Sequence, residues 1–223
     1  MRVERKQIGP FDTNCYLLSE AGRTDCVIID APPGAPQFLL PILKNRGLEL
    51  AAILLTHGHW DHNAGVAGLL AGTTETQATP PQIFAHADDR DCHENPQKFM
   101  AWFQAAIPGL GPEDFPPFKV THWLCDGETF PLLGKTWLAR HVPGHCAGSL
   151  VFYCAEEKCA WTGDALFAGS VGRTDLPGGS FAQLENGIRE KVYVLPDDVK
   201  LYPGHGPTTS VGEEKRCNPF VRP

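Results

Sequence analysis

The sequence predicts an α/β protein built from two similar halves. Short runs of β-branched and aromatic residues alternate with apolar runs of helical spacing, which favours layers of sheet and helix over an all-β barrel. Each half reads as strands, then a helix, then a strand, although no residue-level repeat is visible. A chain of 223 residues can bury one substantial core and requires no second one, so we expect a single domain over residues 1–223.

The first half contains the predicted elements that lead to the most polar stretch of the chain. Strands are indicated by β-branched runs between turn residues, and helices by apolar residues at spacings of three and four. In order, we predict strands at 3–8, 14–19 and 26–30, a helix at 36–44, a strand at 51–55, a helix at 61–70 and a strand at 82–86.

The middle segment, residues 87–117, carries no sharp motif. Residues 94–107 have helical spacing that places Phe99, Trp102 and Phe103 on one face, and a Gly- and Pro-rich run from 109 to 117 ends the pattern. We interpret these aromatic residues as core or lid packing, with a substrate-binding box as the alternative.

The second half begins with closely spaced strands and returns to a helix. Short polar or Gly-bearing turns separate the strands, which indicates a second meander. The predicted elements are strands at 119–124, 129–132, 136–142, 149–154 and 158–162, a helix at 181–192 and a strand at 199–202.

Composition and charge exclude several classes of function. The net charge of -7 argues against nucleic acid as a partner, because such a protein needs a basic face. The charged N-terminus lacks an apolar stretch long enough for a signal sequence or a membrane span, so we expect a cytoplasmic protein without membrane contact. None of the eight cysteines forms a C-x-x-C pair, and we interpret them as reduced thiols, with Cys146 singled out because it follows His145.

Residues 56–62, with the sequence Thr-His-Gly-His-Trp-Asp-His, indicate a metal site. Three imidazoles and a carboxylate stand directly after the apolar strand 51–55. Such a group of titratable side chains would repel or desolvate one another without a cation, whereas nitrogen and oxygen donors suit a divalent metal. The alternative is a solvated polar loop. We therefore take His57, His59, Asp61 and His62 as candidate ligands.

Three later positions have the same character. His145, Asp164 and His205 each follow a predicted strand and stand beside a glycine, which lets the backbone bring a ligand close. Taken singly, each is a common loop or turn residue. Together with the four earlier donors they make seven, which is too many for one tetrahedral ion and suits two ions that share a bridging carboxylate.

These motifs make the chain similar to the metallo-β-lactamase-fold hydrolases, in particular to the glyoxalase II-like (hydroxyacylglutathione hydrolase-like) group. The family's H-x-H-x-D-H motif matches residues 57–62, and its other signatures match Asp30, His145, Asp164 and His205. The resemblance spans nearly the whole chain. It implies a four-layer αββα sandwich with the site at one edge, between two sheets.

The resemblance also implies how the ligands divide. One metal is expected on His57, His59 and His145, the other on Asp61, His62 and His205, with Asp164 bridging and Asp30 orienting the loops without binding metal. Asp61 and Asp164 are the expected catalytic residues, since a hydroxide that bridges the metals would attack an ester-like carbonyl while Asp61 positions or shuttles a proton. Zinc is the first expectation for both ions, with iron or manganese as alternatives, because these ligands suit all three.

The implied substrate is a small thioester linked to glutathione, such as S-lactoylglutathione. The chain resembles a short form of the group, without the C-terminal helical domain that supplies basic residues for glutathione in the longer enzymes. In the run 167–180, Arg173 is the candidate contact for a substrate carboxylate. The alternative for Arg173 is an ion pair with Asp175 or Asp61 that fixes the loop.

Other readings of the same ligands remain open. The persulfide dioxygenases share the ligand set and a similar Gly-Arg-Thr-Asp stretch, yet use a single ferrous iron to oxidise glutathione persulfide. A lactonase or other esterase of the same fold is a further alternative, and a non-enzymatic metal-binding protein is disfavoured because all seven ligands are present. The sequence makes no prediction of the oligomeric state.

Overall fold

The computed structural model describes residues 1–74 and 76–223 and contains two six-stranded sheets. The first sheet has the strand order β1-β2-β3-β4-β5-β6, antiparallel from β1 to β3 and parallel from β3 to β6. Its strands are Arg2–Ile8 (β1), Thr13–Ser19 (β2), Asp25–Ile29 (β3), Glu49–Leu54 (β4), Gln82–His86 (β5) and His122–Leu124 (β6). Parallel pairing requires crossover connections, and helices lie in all three of them.

Among the described residues, the first half contains five helices, of which the first and the third pack on the outer face of this sheet. They are Ala35–Arg46 (α1), Trp60–Asn63 (α2), Val66–Thr74 (α3), Arg90–Glu94 (α4) and Met100–Ala106 (α5). Helix α1 ends at Gly47, whose φ of 62° is the left-handed conformation that closes a helix end. Short 3₁₀ turns at Ala87–Asp89, Pro96–Phe99 and Pro112–Asp114 complete the segment between β5 and β6.

The second sheet has the strand order β14-β13-β10-β9-β8-β7. Its strands are Thr129–Leu132 (β7), Lys135–His141 (β8), Leu150–Cys154 (β9), Cys159–Gly163 (β10), Lys200–Pro203 (β13) and Thr209–Ser210 (β14), and a separate hairpin is formed by Leu166–Phe167 (β11) and Ser170–Val171 (β12). Helices Phe181–Gly187 (α6) and Val211–Cys217 (α7) follow, with a π-helical stretch at Ile188–Val192 between them.

The core lies in three layers. Between the sheets, apolar side chains from both, among them Leu18, Val27, Trp137 and Phe152, form one buried cluster. A second cluster joins the outer face of the first sheet to α1 and α3, and a third joins the second sheet to α6 and α7. Because each sheet is apolar on both faces, helices must cover the outer ones. The predicted αββα sandwich is confirmed.

Several predicted elements differ in extent. The helix predicted at 61–70 is two helices, α2 and α3, separated at Ala64 and Gly65, where a Cβ on Gly65 would lie 2.5 Å from the carbonyl oxygen of Pro32. The close approach of that loop interrupts the helix. The helix predicted at 94–107 is broken into short pieces, because Pro96 has no N–H to continue the turn from α4.

The strand predicted at 119–124 was assigned to the wrong sheet. Only His122–Leu124 is a strand, and it pairs in parallel with β5 of the first sheet. Phe118 and Val120 instead pack into the helix layer, while Thr121 Oγ1 exchanges hydrogen bonds with the backbone of Ile83 at 2.7 and 3.0 Å. No helix among the described residues is long and apolar enough to cross a membrane.

Candidate metal centre

The seven predicted donors converge at one edge of the sandwich. His57 and His59 follow β4, Asp61 and His62 lie in α2, His145 lies between β8 and β9, and Asp164 and His205 follow β10 and β13. Backbone hydrogen bonds join the two sheets here, from Leu150 N to Thr56 O and from Asn14 N to Gly204 O, both at 2.7 Å. The loops of both halves are therefore held against each other at this edge.

The donors form two groups. His57, His59 and His145 make one, and Asp61, His62 and His205 make the other, each with ligand atoms within 4.8 Å of one another. His59 Nδ1 lies 3.0 Å from His145 Nε2, and His62 Nε2 lies 3.3 Å from His205 Nε2. His57, His62 and Asp164 form a further such group that joins the two. The assignment of each donor to one metal ion stays a prediction.

Asp164 lies between the two groups. Its Oδ2 is 3.6 Å from His145 Nε2 and 3.5 Å from His205 Nε2, and its Oδ1 is 3.4 Å from His62 Nε2. One carboxylate thus faces imidazoles of both groups, which is the position a bridging ligand occupies.

Glycine makes this close packing sterically possible. A Cβ on Gly204 would lie 2.1 Å from Asp164 Oδ1 and 2.6 Å from His62 Cε1, and a Cβ on Gly172 would lie 2.9 Å from His145 Nδ1. Any larger residue at either position would displace a donor. This agrees with the expectation from the sequence that glycines beside the ligands admit a close backbone.

Four imidazoles are oriented through their outer nitrogen. Each Nδ1 donates to an oxygen: His57 to Thr56 Oγ1 at 3.1 Å, His62 to Asp30 Oδ2 at 2.8 Å, His145 to the carbonyl of Arg173 at 2.8 Å, and His205 to the carbonyl of Phe11 at 3.1 Å. A hydrogen on Nδ1 leaves the Nε2 lone pair directed into the centre, as metal-binding histidines require.

Asp30 supports the centre from behind. It directly follows β3 and has a φ of 57°, an uncommon backbone conformation for a residue other than glycine. Its carboxylate accepts hydrogen bonds from Thr56 N and Thr56 Oγ1 as well as from His62, all at 2.8 Å. Asp30 thus contacts one donor and the loop that leads to another, and its role in orienting them stays a prediction.

Burial and neighbouring charges shift the pKa values of the donor side chains in different directions. Burial, reinforced by the adjacent imidazoles, pushes the pKa of His57 well below its usual value and lowers that of His59 to about 3. Burial opposes protonation of His62 as well, but the carboxylates of Asp164, Asp61 and Asp30 outweigh it and raise its pKa to about 10. The pKa of Asp61 is lowered despite burial, because His62 and His205 face it.

The donor set fits divalent cations. Within the described part of the chain, His57 Nε2 and Asp164 Oδ1 are buried without a hydrogen-bond partner. Buried polar atoms that lack a partner are costly and uncommon in folded proteins. His57 and Asp164 also belong, with His62, to a group whose ligand atoms lie within 4.8 Å of one another, so a cation held there would satisfy both.

Asp89 is a buried carboxylate at the centre that the sequence did not reveal. Its Oδ2 accepts from Gly58 N at 2.7 Å, and its Oδ1 accepts from Gly148 N at 2.8 Å and from Cys146 Sγ at 3.1 Å. It therefore ties the loop of His57 and His59 to the loop of His145. Its setting, in the run Asp88-Asp89-Arg90-Asp91, is typical of a solvated surface and carried no signal.

An open cleft leads to the donors. It has a volume of about 590 Å³ and is lined by donor side chains together with Phe11, Trp102, Phe103, Leu176 and Arg173. Arg173 forms a two-bond ion pair with Asp175, at 2.7 Å for each bond, and both side chains are exposed. The structure thus contains the loop-fixing ion pair and also places Arg173 at the mouth of the cleft.

Comparison with known proteins decides the family. The Metallo-beta-lactamase superfamily matches residues 8–205, which include every donor. The chain belongs to the metallo-β-lactamase superfamily. A hydroxyacylglutathione hydrolase, GloC of Haemophilus influenzae, is 34% identical over 99% of this chain and 98% of its own length. A probable metallo-hydrolase of Bacillus subtilis, YqgX, is 33% identical with the same coverage.

Two solved structures of the superfamily resemble this member over nearly their full length. The B3 metallo-beta-lactamase BLEG-1 has a TM-score of 0.85 and 31% identity and covers 99% of both chains. TTHA1623 in a di-iron-bound form has a TM-score of 0.78 and 34% identity and covers 98% of this chain and 100% of its own. The chain is therefore a metallo-hydrolase superfamily member with a fold that binds divalent metals.

Proposed function

We propose that this superfamily member hydrolyses thioesters of a small thiol, using two divalent cations held by the seven donors. One observation carries the proposal: two groups of donor atoms share the carboxylate of Asp164 at the end of an open cleft. The similarity to a hydroxyacylglutathione hydrolase supports a glutathione-linked substrate such as S-lactoylglutathione, and the similarity to a di-iron protein supports iron beside zinc as the metal.

The reaction needs a nucleophile and a site for the negative charge that develops on the carbonyl oxygen. When bound, two cations supply both, since they lower the pKa of water and polarise a carbonyl. Water adds its oxygen to the acyl carbon, the carbon–sulfur bond breaks, and the products are a carboxylic acid and a free thiol. A thiolate leaves readily because the thiol pKa is only about 8.5.

The chain's own residues orient and hold protons around that reaction. Asp61 Oδ2 accepts a hydrogen bond from Thr13 Oγ1 at 2.9 Å and lies 3.4 Å from His205 Nε2. Because its pKa is lowered, Asp61 stays ionised and acts as a hydrogen-bond acceptor for the attacking water. Asp30 keeps the imidazole of His62 in place through its 2.8 Å hydrogen bond.

Metal analysis combined with two substrates tests the proposal. We expect about two metal ions per chain by elemental analysis and hydrolysis of S-lactoylglutathione, measured by release of free thiol. The opposite result would be one iron per chain, oxygen uptake with glutathione persulfide and no release of thiol from the thioester. That result would show that the protein oxidises persulfides and does not hydrolyse thioesters.

Arg173 is the proposed contact for the carboxylate of the thiol carrier. Binding would exchange its pair with Asp175 for a pair with the substrate, because both side chains are solvent-exposed and such pairs are weak. We expect Arg173→Ala to raise KM for an anionic thioester about tenfold with little change in kcat. Arg189→Ala, an exposed arginine paired with Glu185, is the control. An unchanged KM in the Arg173 variant would leave Arg173 as a loop-fixing residue only.

A further inference from the structure

A small, partly enclosed cavity lies beside the candidate metal centre. It has a volume of about 40 Å³ and is walled mainly by aromatic side chains from α2 and the segment 96–118, namely Trp60, Phe99, Phe103 and Phe115, with Cys92 and Cys146 at its floor. The rings contact one another, with centroids 6.0 Å apart for Trp60 and Phe103 and 5.8 Å apart for Trp60 and Phe115. The aromatic residues of segment 96–118 therefore pack against one another and also surround the cavity.

The cavity adjoins the cleft. His59, Trp102 and Phe103 line both spaces, and the Phe103 ring stands at a steep angle to the His59 imidazole with 6.2 Å between centroids. His59 Nδ1 is in turn 3.0 Å from His145 Nε2 in the centre. The His59 side chain therefore separates the cavity from the other donors. An acyl group whose carbonyl lies at the donors would be next to the cavity.

The cavity wall is mainly apolar. Two of its polar groups are already engaged, since Cys146 Sγ donates to Asp89 at 3.1 Å and Asn63 Nδ2 donates to the carbonyl of Gly58 at 3.0 Å. No lysine or arginine within the described ranges lines it. A charged group placed here would lose most of its hydration with little compensation, whereas an alkyl group would gain by leaving water.

We propose that this cavity binds the acyl group of the substrate and selects a short aliphatic chain, an assignment that rests on the proposed thioester hydrolysis. A volume of 40 Å³ is roughly that of three water-sized occupants, which suits about two to four carbons. A charged thiol carrier such as glutathione remains in the open cleft of about 590 Å³, where Arg173 lies. The acyl chain and the thiol therefore occupy different spaces on the two sides of the donors.

A series of glutathione thioesters with one thiol and different acyl groups tests the assignment on metal-loaded protein. We expect kcat/KM for the butyryl ester to exceed that for the acetyl ester by on the order of tenfold, because two further methylene groups leave water. It should also exceed that for the lactoyl ester, whose chain is one carbon shorter and carries a hydroxyl that loses hydration. The octanoyl ester should fall below the butyryl ester, since its chain exceeds the cavity.

Substitutions at Phe99 provide a matched pair. Phe99→Ala enlarges the cavity and should move the optimum to a longer chain such as hexanoyl, whereas Phe99→Trp fills it and should move the optimum to acetyl. Phe38→Ala, an aromatic residue exposed on α1 and away from both spaces, is the control, and thermal unfolding checks that each variant is folded. A purely structural defect would lower the rates for all esters alike.

The outcomes separate the two proposals. Failure to hydrolyse any thioester with both metals bound would overturn the proposed function. Hydrolysis with the lactoyl ester equal to or better than the butyryl ester, or an order of preference that both Phe99 variants leave unchanged, would overturn the acyl assignment alone.

Discussion

Asp164 is the residue on which the two donor groups depend most. Its two oxygens lie 3.4 to 3.6 Å from imidazoles of both groups, and Oδ1 has no hydrogen-bond partner among the described residues. In the proposed two-metal site, a single side chain in this position would offset the charge of both cations. Losing it should therefore affect both sites together.

We expect Asp164→Ala to bind little or no metal and to lose nearly all turnover. Two cations close together repel each other strongly when no carboxylate lies between them. Elemental analysis after gel filtration measures the metal per chain, and Asp175→Ala, which removes an exposed carboxylate, is the control. Two ions retained in the Asp164 variant would show that Asp164 is not the bridge.

Asp89 supports one group only. It holds Gly58 and Gly148, which flank ligands of the His57, His59 and His145 group, whereas Asp30 holds His62 of the other. Burial raises the pKa of Asp89, and its hydrogen bonds partly offset that rise. We therefore assign Asp89 to the positioning of the first group.

Asp89→Asn should lower the affinity for one of the two metal ions by about 10- to 100-fold. Asparagine replaces one carboxylate oxygen, which accepts hydrogen bonds, with an NH2 group, which donates them. That NH2 group would then face a backbone N–H that is also a donor, and the hydrogen bond between them would be lost. Chelator competition measures the affinity of each ion, and Asp91→Asn, an exposed neighbour paired with Lys98, is the control. Equal weakening of both ions would contradict a role limited to the first group.

At the scale of elements, helix α7 anchors the loop that leads to Arg173. Glu214 is buried and accepts hydrogen bonds from Gly169 N at 3.0 Å, Asn218 Nδ2 at 2.8 Å and Thr209 Oγ1 at 2.6 Å. Asn218 Nδ2 also donates to the carbonyl of Ser170 at 3.1 Å. The end of the chain thereby holds the hairpin β11–β12 in place.

We expect Glu214→Gln to reduce the free energy of unfolding by about 1–3 kcal/mol. The amide nitrogen of glutamine donates instead of accepting, so the bond from Thr209 must reverse or break, and the negative charge that strengthens the bonds from Gly169 and Asn218 is lost. Urea unfolding followed by circular dichroism measures the change, with the exposed Glu213→Gln as the control. A change no larger than that of the control would show that Glu214 is not needed to anchor the loop.

At the scale of the whole molecule, both sheets contribute to one inter-sheet core and to one metal centre. Separating the halves would expose that core and divide the donors between two pieces. We therefore propose that residues 1–223 form one domain, and we expect a single cooperative transition in urea. Two resolved transitions would contradict this proposal.

The stability of the whole molecule should fall in mild acid because of His93. This histidine is fully buried in α4, Asn63 Nδ2 lies 3.2 Å from its Nδ1, and burial lowers its pKa to about 3. Between pH 6.5 and about pH 3, His93 is protonated in the unfolded chain but neutral in the folded protein. The free energy of unfolding is therefore at its full value above about pH 6.5 and decreases as the pH falls through this range.

Between about pH 6 and pH 4, the free energy of unfolding of the wild type should fall more steeply with decreasing pH than that of His93→Gln. We expect the two slopes to differ by up to about 1.4 kcal/mol per pH unit. Glutamine does not titrate and can still accept from Asn63. Urea unfolding of metal-free protein across this range gives both slopes, and His122→Gln, at an exposed histidine, is the control. Parallel slopes for the wild type and the His93 variant would contradict the assignment.

The sequence by itself determined the donors and the layers. Residues 57–62 are adjacent in the chain, so they indicate a metal site without any knowledge of the fold, and the glycines beside His145, Asp164 and His205 mark the other loops. The periodicity of apolar residues places most strands and helices, because each sheet or helix must bury a regular face. These features are local, and local patterns can be read directly.

Only the tertiary structure decided the supporting contacts. Asp89 reaches Gly58 and Gly148 across 31 and 59 positions of sequence, and Asp30 reaches Thr56 across 26. The sheet to which β6 belongs, the break between α2 and α3, and the cavity behind His59 depend in the same way on distant segments meeting. Contacts between distant segments depend on how the layers pack, and the spacing of residues along one strand or helix does not encode them.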